Sequence, residues 1–263
     1  MKGKGIGKVA LVLSAGSARG LAHIGVIQVL EENQIPFDLI IGCSMGAMVG
    51  SLYACDVDFV MLGKMLDHMN TSILFDIHVP RKGFISGKKI DYFLNLLTKS
   101  KSFDELNTKL ILVATDLVSG NRVLLEEGKV AEAVRASISI PGIFYPVEKD
   151  GMILVDGAVT DRLPIEVAYQ RGASLVIASD VWGTYCPARI RNTLDVIMVS
   201  LDIMQKCQVS ASDEQNCVII RPDVAMFSSR DFHKSRKLIE LGRQAAEEKL
   251  DEILEKIELL GKN

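Results

Sequence analysis

The sequence lacks the patterns of a disulfide framework, a metal centre and a nucleic-acid-binding surface. No C-x-x-C pair is present, and the cysteines, odd in number, are scattered: Cys43, Cys55, Cys186, Cys207 and Cys217. This spacing indicates neither paired disulfides nor a zinc site. The formal net charge of -3 provides no basic surplus of the kind that nucleic-acid-binding proteins carry. We therefore expect a reduced protein that has no zinc site and binds no nucleic acid.

Long apolar runs are missing as well. The longest uncharged stretch, residues 39–55, contains three glycines and two serines and is too short to span a membrane. The first apolar run, residues 9–13, is too short for the core of a secretory signal. We expect a cytoplasmic protein that makes at most peripheral, transient contact with a membrane surface.

Short apolar runs that alternate with helical patterns dominate the rest of the chain. The runs resemble buried parallel strands and lie at 9–13, 37–41, 110–114, 175–178 and 218–220. Helical spacing is clear at 21–32 and in a long C-terminal helix at 234–260, which Gly242 is expected to bend or interrupt. The alternation predicts a three-layer α/β fold, in which helices cover both faces of a mostly parallel central sheet. The length of 263 residues suits one domain over 1–263.

The segment Gly42-Cys43-Ser44-Met45-Gly46 joins the second apolar run to a helical pattern at 47–54. A serine at a sharp turn from strand to helix is presented to substrate, and small residues such as Gly42 and Gly46 let the two elements approach closely. The helix N-terminus also favours developing negative charge near the hydroxyl. The pattern predicts that Ser44 is a nucleophile, and the alternative is a turn that serves packing alone. Cys43 is expected to be a small buried residue.

A loop of small residues, Ser14 to Gly20, follows the first apolar run. It lacks the Gly-Lys-Ser/Thr of a P-loop, and Ala15 and Ser17 occupy the first two glycine positions of the dinucleotide fingerprint. Small residues let backbone N–H groups approach the carbonyl oxygen of a bound ester, as an oxyanion hole requires. We favour the oxyanion hole over a phosphate cradle because it accounts for the loop and Ser44 together.

A serine nucleophile needs a base, and the sequence offers both histidines and aspartates. The histidines are His23, His68, His78 and His233. Only His233 follows Asp156 in the order of an α/β-hydrolase triad, but in that fold several strands precede the nucleophile, whereas Ser44 follows only the second run. We therefore expect an aspartate to act directly on the serine, and His23 to be a packed or surface residue. Asp116, Asp156 and Asp180 each follow an apolar run, and spacing alone does not choose among them.

Residues 58–99 differ in character from the rest of the chain. They carry a methionine-rich amphipathic pattern, followed by basic residues at Arg81, Lys82, Lys88 and Lys89. Adaptable methionine side chains in such a segment suit a lid or wall over an acyl chain. Ordinary helix packing is the alternative, and basic residues beside apolar ones also suit an anionic membrane surface.

Several ordered segments resemble those of the patatin-like phospholipase family, and the resemblance spans nearly the whole chain. Residues 11–25 resemble the family's glycine-rich oxyanion segment, and Gly42–Gly46 resembles its nucleophile motif. Residues 134–142 resemble its active-site-flanking loop, and Asp156-Gly157-Ala158 resembles its Asp-Gly-Gly/Ala motif. The family has consecutive glycines where this chain has Ala15, Gly16 and Ser17, a departure that concerns catalytic efficiency more than the fold.

The resemblance implies roles for individual residues. Ser44 would attack an acyl ester, and Asp156 would take its proton and then activate water to release the acyl-enzyme. The N–H groups of Gly16 and Ser17 would hold the oxyanion, with Arg19 shaping their loop. The residues that would support these motifs are Gly20, Gly157 and Ala158. The resemblance implies no metal or cofactor, and the substrate would be a lipid or a small acyl ester.

Three other functions compete with a serine ester hydrolase that acts on lipids or lysolipids. A thioesterase or acyltransferase would use the same site, and a panel of thioester substrates separates it. A lipid-binding or regulatory module with weakened catalysis is favoured by the altered glycines and opposed by the intact Ser44 and Asp156. A nucleotide-binding Rossmann protein is excluded if nucleotide titrations detect no binding.

Overall fold

The structure of the chain is a computed structural model that describes residues 7–68, 87–182, 190, 193–206 and 216–262. Three residues named above, His78, Cys186 and Cys207, and the 69–86 part of the 58–99 segment lie outside the described residues.

Eight strands form one sheet. They are β1 (Val9–Leu13), β2 (Leu39–Cys43), β3 (Lys109–Asp116), β4 (Arg122–Leu125), β5 (Val147–Lys149), β6 (Met152–Asp156), β7 (Leu175–Ser179) and β8 (Cys217–Ile220). Their order is β5-β6-β3-β2-β1-β7-β8, and β4 also pairs with β3. The strands β3, β2, β1, β7 and β8 are parallel, and the pairings of β4, β5 and β6 are antiparallel. The predicted mostly parallel sheet is therefore confirmed, and every apolar run predicted as a strand belongs to its parallel part.

Helices cover both faces of this sheet. They are α1 (Ala22–Glu32), α2 (Met45–Ala54), α3 (Phe59–His68), α4 (Lys88–Leu97), α5 (Val130–Ser137), α6 (Ile165–Gln170), α7 (Thr193–Lys206) and α8 (Ser235–Lys262). In β1, Leu11 and Leu13 pack into a large core that includes α1, α2 and α8, whereas Ala10 and Val12 pack into a smaller core that includes α6. Because both faces are buried, the strand is apolar at every position.

The long helix α8 is one continuous helix, so the expectation that Gly242 interrupts it is wrong. Gly242 lies where α8 crosses α1: a Cβ there would overlap the carbonyl oxygen of Ala22. The contact is reciprocal, because a Cβ at Gly25 would overlap the carbonyl oxygen of Ile239. Both glycines therefore permit close approach of two backbones, and the packing gained there outweighs the low helix propensity of glycine.

The strands β2 and β6 meet end to end along one edge of β3. Val113 pairs with Cys43 of β2 and, on its other side, with β4. The next residue, Ala114, pairs with Asp156 of β6 and again with β4 on its other side. Because β2 runs parallel and β6 antiparallel to β3, their C-terminal ends point at each other. This register brings the residue after Cys43 next to Asp156.

Candidate active site

Ser44 forms the sharp turn between β2 and α2 in a backbone conformation that is unfavourable for any residue but glycine. Its φ is +52° and its ψ is -117°. The Ser44 N–H donates to Ser137 Oγ at 3.0 Å, and that hydroxyl donates to the Val113 carbonyl at 2.6 Å. Ser137, at the end of α5, therefore fixes the strained turn to the neighbouring strand β3.

The glycines on either side of Ser44 are required by close packing. A Cβ at Gly42 would lie 2.5 Å from the Gly46 carbonyl oxygen and 2.6 Å from the Ala47 Cα. A Cβ at Gly46 would overlap the Leu13 carbonyl at the end of β1. The start of α2 thus packs against two strand ends at distances that leave no room for a side chain. This is the close approach predicted from the sequence motif.

Asp156 lies directly beside the serine. Ser44 Oγ donates to Asp156 Oδ2 at 2.6 Å, and the Ala158 N–H donates to Asp156 Oδ1 at 2.9 Å. The Asp156 N–H donates to the Ser139 carbonyl at 2.9 Å, and a Cβ at Gly157 would overlap the Val113 carbonyl. Burial raises the pKa of Asp156 to about 6, although the hydrogen bonds from Ser44 and Ala158 oppose this shift. The arrangement aims one carboxylate oxygen at the serine and gives it a proton affinity suited to a general base near neutral pH.

The other candidate aspartates are engaged elsewhere. Asp116 accepts hydrogen bonds from the Ser119 hydroxyl and from the N–H groups of Val118 and Ile153, and these lower its pKa to about 2. Asp180 accepts two hydrogen bonds from Arg162, at 2.7 and 3.3 Å, and both side chains are buried. Asp116 organises a turn and Asp180 holds an ion pair, so neither faces Ser44.

His23 and His233 do not take the place of Asp156, and the side chain of His68 lies outside the described part of the chain. His23 is a packed residue, as expected, and its Nε2 donates to the Ser14 carbonyl at 2.9 Å. Its Nδ1 therefore accepts from Ser179 Oγ at 2.8 Å, and burial lowers the pKa of His23 to about 4. His233 is exposed just before α8. The neutral, doubly hydrogen-bonded His23 supports the base of the loop that begins at Ser14.

That loop presents two backbone donors to the cleft. Ser17 has φ +48°, a positive value that serine adopts less readily than glycine, and Gly16 precedes it in an extended φ. Within the described part of the chain, the N–H groups of Gly16 and Ser17 donate to no protein acceptor. The neighbouring N–H groups do have acceptors: Ala15 donates to the Arg162 carbonyl and Ala18 to the Ser229 carbonyl. Two unused donors between anchored neighbours are suited to bind an oxyanion.

Arg19 and Gly20 hold this loop in place. Arg19 Nε donates to the Phe227 carbonyl at 2.8 Å, and its guanidinium carbon lies 5.5 Å from the centre of the Trp182 ring. A Cβ at Gly20 would lie 2.6 Å from the Cβ of Met45, so glycine is needed where the loop meets α2. The loop therefore packs directly against the turn at Ser44, residues 42–46, which we call the elbow.

A narrow cleft lies above Ser44 and Asp156. Its walls include residues of the 14–20 loop and Asp156. They also include Ile140, Pro141 and Trp182, and three residues of α7, namely Leu201, Asp202 and Gln205. The described parts of 58–99, which form α3 and α4, contribute no residue to these walls. A lid formed by 58–99 stays a prediction, and the observed cover of the cleft is α7.

Sequence reasoning missed several residues of this site. Ser137 lies in a segment that was singled out by resemblance, but no local pattern shows that it fixes the elbow. Asp180 was a candidate base because it ends a strand, and its partner Arg162 is visible only in the fold. The cover by α7 also depends on tertiary packing. The single tryptophan of the chain, Trp182, was the one available signal, since a lone large aromatic after a strand often lines a site.

The fold and site together define an α/β protein with a strained serine beside a buried aspartate and a loop of free backbone donors. The family model for patatin-like phospholipases matches residues 11–169. The chain is also 36% identical over 192 residues to an uncharacterized NTE family protein of Mycobacterium tuberculosis, covering 72% of this chain and 53% of that protein. The chain belongs to the patatin-like phospholipase family.

Two further comparisons are more distant. The chain is 26% identical over 271 residues to the lysophospholipase NTE1 of Scheffersomyces stipitis, covering 91% of this chain and 18% of that protein. Its fold is similar to that of VipD from Legionella pneumophila, with a TM-score of 0.60 at 15% identity over 95% of this chain and 68% of the other. The chain therefore spans about half, or less, of the length of these curated relatives.

The described residues offer neither a candidate membrane span nor a candidate metal site. None of the helices there has the length and apolar character needed to cross a bilayer. No group of three or more His, Cys, Asp or Glu side chains in that part of the chain is placed to hold a metal ion. Burial raises the pKa of Cys43, which suits a packed thiol rather than a reactive one.

Proposed function

We propose that the chain is a serine acyl-ester hydrolase that uses Ser44 as nucleophile and Asp156 as general base, and that its substrates are phospholipids or lysophospholipids. The observation that carries the proposal is the 2.6 Å hydrogen bond from Ser44 Oγ to Asp156 Oδ2, made at a strained turn. The strained backbone at Ser44 and the raised pKa of Asp156 both destabilise the folded protein. Such features are concentrated at catalytic sites, where they serve the reaction.

In the first half of the reaction, Ser44 Oγ attacks the ester carbonyl carbon as its proton passes to Asp156 Oδ2. Negative charge develops on the carbonyl oxygen, and the N–H groups of Gly16 and Ser17 stabilise it. The intermediate collapses, the bond to the leaving alcohol breaks, and Asp156 returns the proton to that alcohol. The acyl group remains on Ser44 as an ester.

In the second half, Asp156 takes a proton from a water molecule that attacks the acyl-enzyme carbonyl. The same two N–H groups stabilise the second tetrahedral intermediate. Its collapse breaks the bond to Ser44 Oγ, which regains a proton from Asp156, and the fatty acid leaves. The hydrogen bond from Ala158 to Asp156 Oδ1 keeps Oδ2 directed at the reacting atoms in both halves.

The lipid substrate class has two supports. One relative is named a lysophospholipase, and membership of the patatin-like phospholipase family favours an acyl ester of a lipid. The cleft walls contribute apolar surface from Ile140, Pro141, Trp182 and Leu201, which suits an acyl chain. A thioester would fit the same geometry, so a thioesterase or acyltransferase is the second candidate. We further propose that 1–263 folds as one hydrolase domain and acts in the cytoplasm.

The proposal is tested by hydrolysis of a short-chain chromogenic ester with wild type, Ser44→Ala and Asp156→Asn, each checked for folding by circular dichroism. We expect activity in the wild type alone. Activity that persists in Ser44→Ala would refute the nucleophile. A wild type that is inactive on esters, thioesters and phospholipids would refute the proposed enzymatic activity and favour a lipid-binding module.

A further inference from the structure

The outward face of α7 is apolar. Val196, Ser200, Ile203 and Met204 lie on one side of this helix at helical spacing, and all are exposed. The exposed fractions of the three apolar side chains are 48% for Val196, 49% for Ile203 and 63% for Met204. A surface helix of a globular protein ordinarily places its charged residues on this side and its apolar residues inward. None of the described exposed residues of α7 is charged.

The acidic residues of α7 lie on the other side. Asp195 is buried and forms an ion pair with Arg230. Asp202 lines the cleft above Ser44, where burial raises its pKa and the nearby Arg19 opposes that shift. The two acidic side chains of α7 therefore point toward the protein together with Leu201, while Val196, Ile203 and Met204 point to solvent. Exposure of three apolar side chains on one face of a helix costs free energy that contact with an apolar surface would recover.

The loop that contacts α7 carries a cation. Arg230 forms an ion pair with Asp195, the residue next to Val196 in the chain, and the Arg230 side chain is still 57% exposed. We call the set Val196, Ile203 and Met204, with Arg230 at its rim, the α7 outer face. An apolar surface with a cation at its rim matches the acyl and phosphate layers of a phospholipid bilayer.

We infer that the α7 outer face binds the surface of a phospholipid bilayer, and this inference rests on the proposed lipid substrate. The inner side of the same helix forms a wall of the cleft, so a bilayer on its outer side lies one helix away from Ser44. The helix has 14 residues, a length that suits lying in the interface but not crossing the membrane. The bilayer is favoured over a second copy of the chain because the substrate itself would be held in it.

The test measures binding to vesicles of an equimolar mixture of phosphatidylcholine and phosphatidylglycerol. Co-sedimentation is measured in the Ser44→Ala background, so that vesicles are not consumed. Val196→Gln with Met204→Gln is expected to weaken vesicle binding about tenfold, because the apolar area that enters the interface is lost. The matched control is Val60→Gln with Met61→Gln on α3, whose side chains are 60% and 62% exposed, and it should bind as the parent does.

Each outcome decides the inference. Loss of binding in the α7 variant alone, with an unchanged melting temperature, supports it. Equal binding by both variants, equal loss in both, or no binding by the parent overturns it. A parent that is dimeric by light scattering, and an α7 variant that is monomeric, would assign the face to a second copy. Because binding is measured without Ser44, failure of the wild type to hydrolyse esters would refute the proposed function and leave the binding result standing.

Discussion

Ser17 and Ser44 have nearly the same positive φ and present different groups to the cleft. Their φ values are +48° and +52°, and they follow the adjacent parallel strands β1 and β2. At Ser44 the N–H is fixed by Ser137 and the side chain is aimed at Asp156. At Ser17 the N–H has no protein acceptor within the described residues. One strained serine thus presents its hydroxyl and the other presents its backbone.

The difference between Ser17 and Ser44 shows two ways in which a site can restrict the residue type at a position. A position that presents a side chain depends on the chemical identity of that side chain. A position that presents an N–H group depends only on the backbone conformation, which glycine adopts more readily than serine. Under the proposed mechanism, serine at 17 is therefore a tolerated residue, whereas serine at 44 is a required one.

The largest expected contrast comes from alanine at each position. Ser44→Ala should lower kcat/KM for a chromogenic ester by about 10⁴-fold or more, because it removes the nucleophile. Ser17→Ala keeps the N–H and the Cβ, so its kcat/KM should stay within about threefold of wild type. Steady-state kinetics on both purified variants measure the contrast. Similar losses in the two would break the distinction between side-chain and backbone roles.

The glycines that support the elbow give the next largest effect. Gly46→Ala should cost about 3 kcal/mol or more of unfolding free energy, because its Cβ would overlap the backbone of Leu13. Gly50→Ala, one turn further along α2, is the control. Its Cβ would meet only side chains, at 3.0 Å from Ile40 and 3.2 Å from Leu13, and helix propensity favours alanine. Urea denaturation compares the two, and equal costs would contradict the close approach at Gly46.

The charged form of Asp156 should lower the free energy of unfolding, whereas the charged form of Asp116 should raise it. The pKa of Asp156 is raised to about 6, so its charged form destabilises the native state fully above that pH. Asp156→Asn should therefore raise the unfolding free energy by up to about 3 kcal/mol at pH 8. The gain should shrink as the pH falls through 6 and disappear below about pH 4, where the unfolded carboxyl becomes protonated as well.

Asp116→Asn is the control with the opposite sign. Its pKa is lowered to about 2, so the charged form stabilises the native state above the unfolded pKa, and the variant should lose stability at neutral pH. Chemical denaturation across this pH range follows both variants. An Asp156→Asn variant that is less stable at pH 8 would argue against a strained, functional carboxylate.

The pH dependence of hydrolysis should follow Asp156 alone. Its carboxylate must be deprotonated to accept the serine proton, so kcat/KM should rise with pH through about 6 and level off above it. At pH 5 the value should be about tenfold below the plateau. Ser17→Ala should leave the midpoint unchanged, since no titrating group is altered. A midpoint near 4, or one that moves with Ser17, would assign the proton transfer to another group.

The smallest effect is expected from Ser17→Gly, which should keep or modestly raise esterase activity. Glycine relieves the positive φ but adds freedom to the unfolded chain, and each effect is worth about 1 kcal/mol or less. The variant should therefore bind a trifluoromethyl ketone, an oxyanion analogue, at least as tightly as wild type. Weaker binding of that analogue, measured by inhibition, would show that the serine side chain itself contributes to the loop.

Local sequence predicted the parallel sheet because its strands are buried on both faces. Continuous apolar runs such as Val9–Leu13 can then be read without knowing their neighbours. The elbow could also be predicted, because Gly42, Ser44 and Gly46 lie within a few residues of one another. The choice of Asp156 over Asp116 and Asp180 came from family resemblance. In the fold it follows from the antiparallel register of β6 on β3, which no local pattern encodes.

Features that depend on distant packing were missed or misread. Gly242 was expected to interrupt a helix, but its role is set by the backbone of α1, which crosses it. The cleft wall formed by α7 was not predicted, and a lid formed by 58–99 stays a prediction because residues 69–86 lie outside the described residues. In α7, Val196, Ile203 and Met204 point outward while Leu201 lines the cleft, so the apolar pattern of this helix does not by itself identify its buried face.

The most direct test of the Ser44–Asp156 account is reaction with a fluorophosphonate, followed by intact-protein and peptide mass spectrometry. The wild type should gain one adduct, located on Ser44. Asp156→Asn should react much more slowly, while Ser17→Gly should react at a rate close to wild type. An adduct on another residue, or labelling of Ser44→Ala at the wild-type rate, would contradict the central claim that this strained serine is the nucleophile.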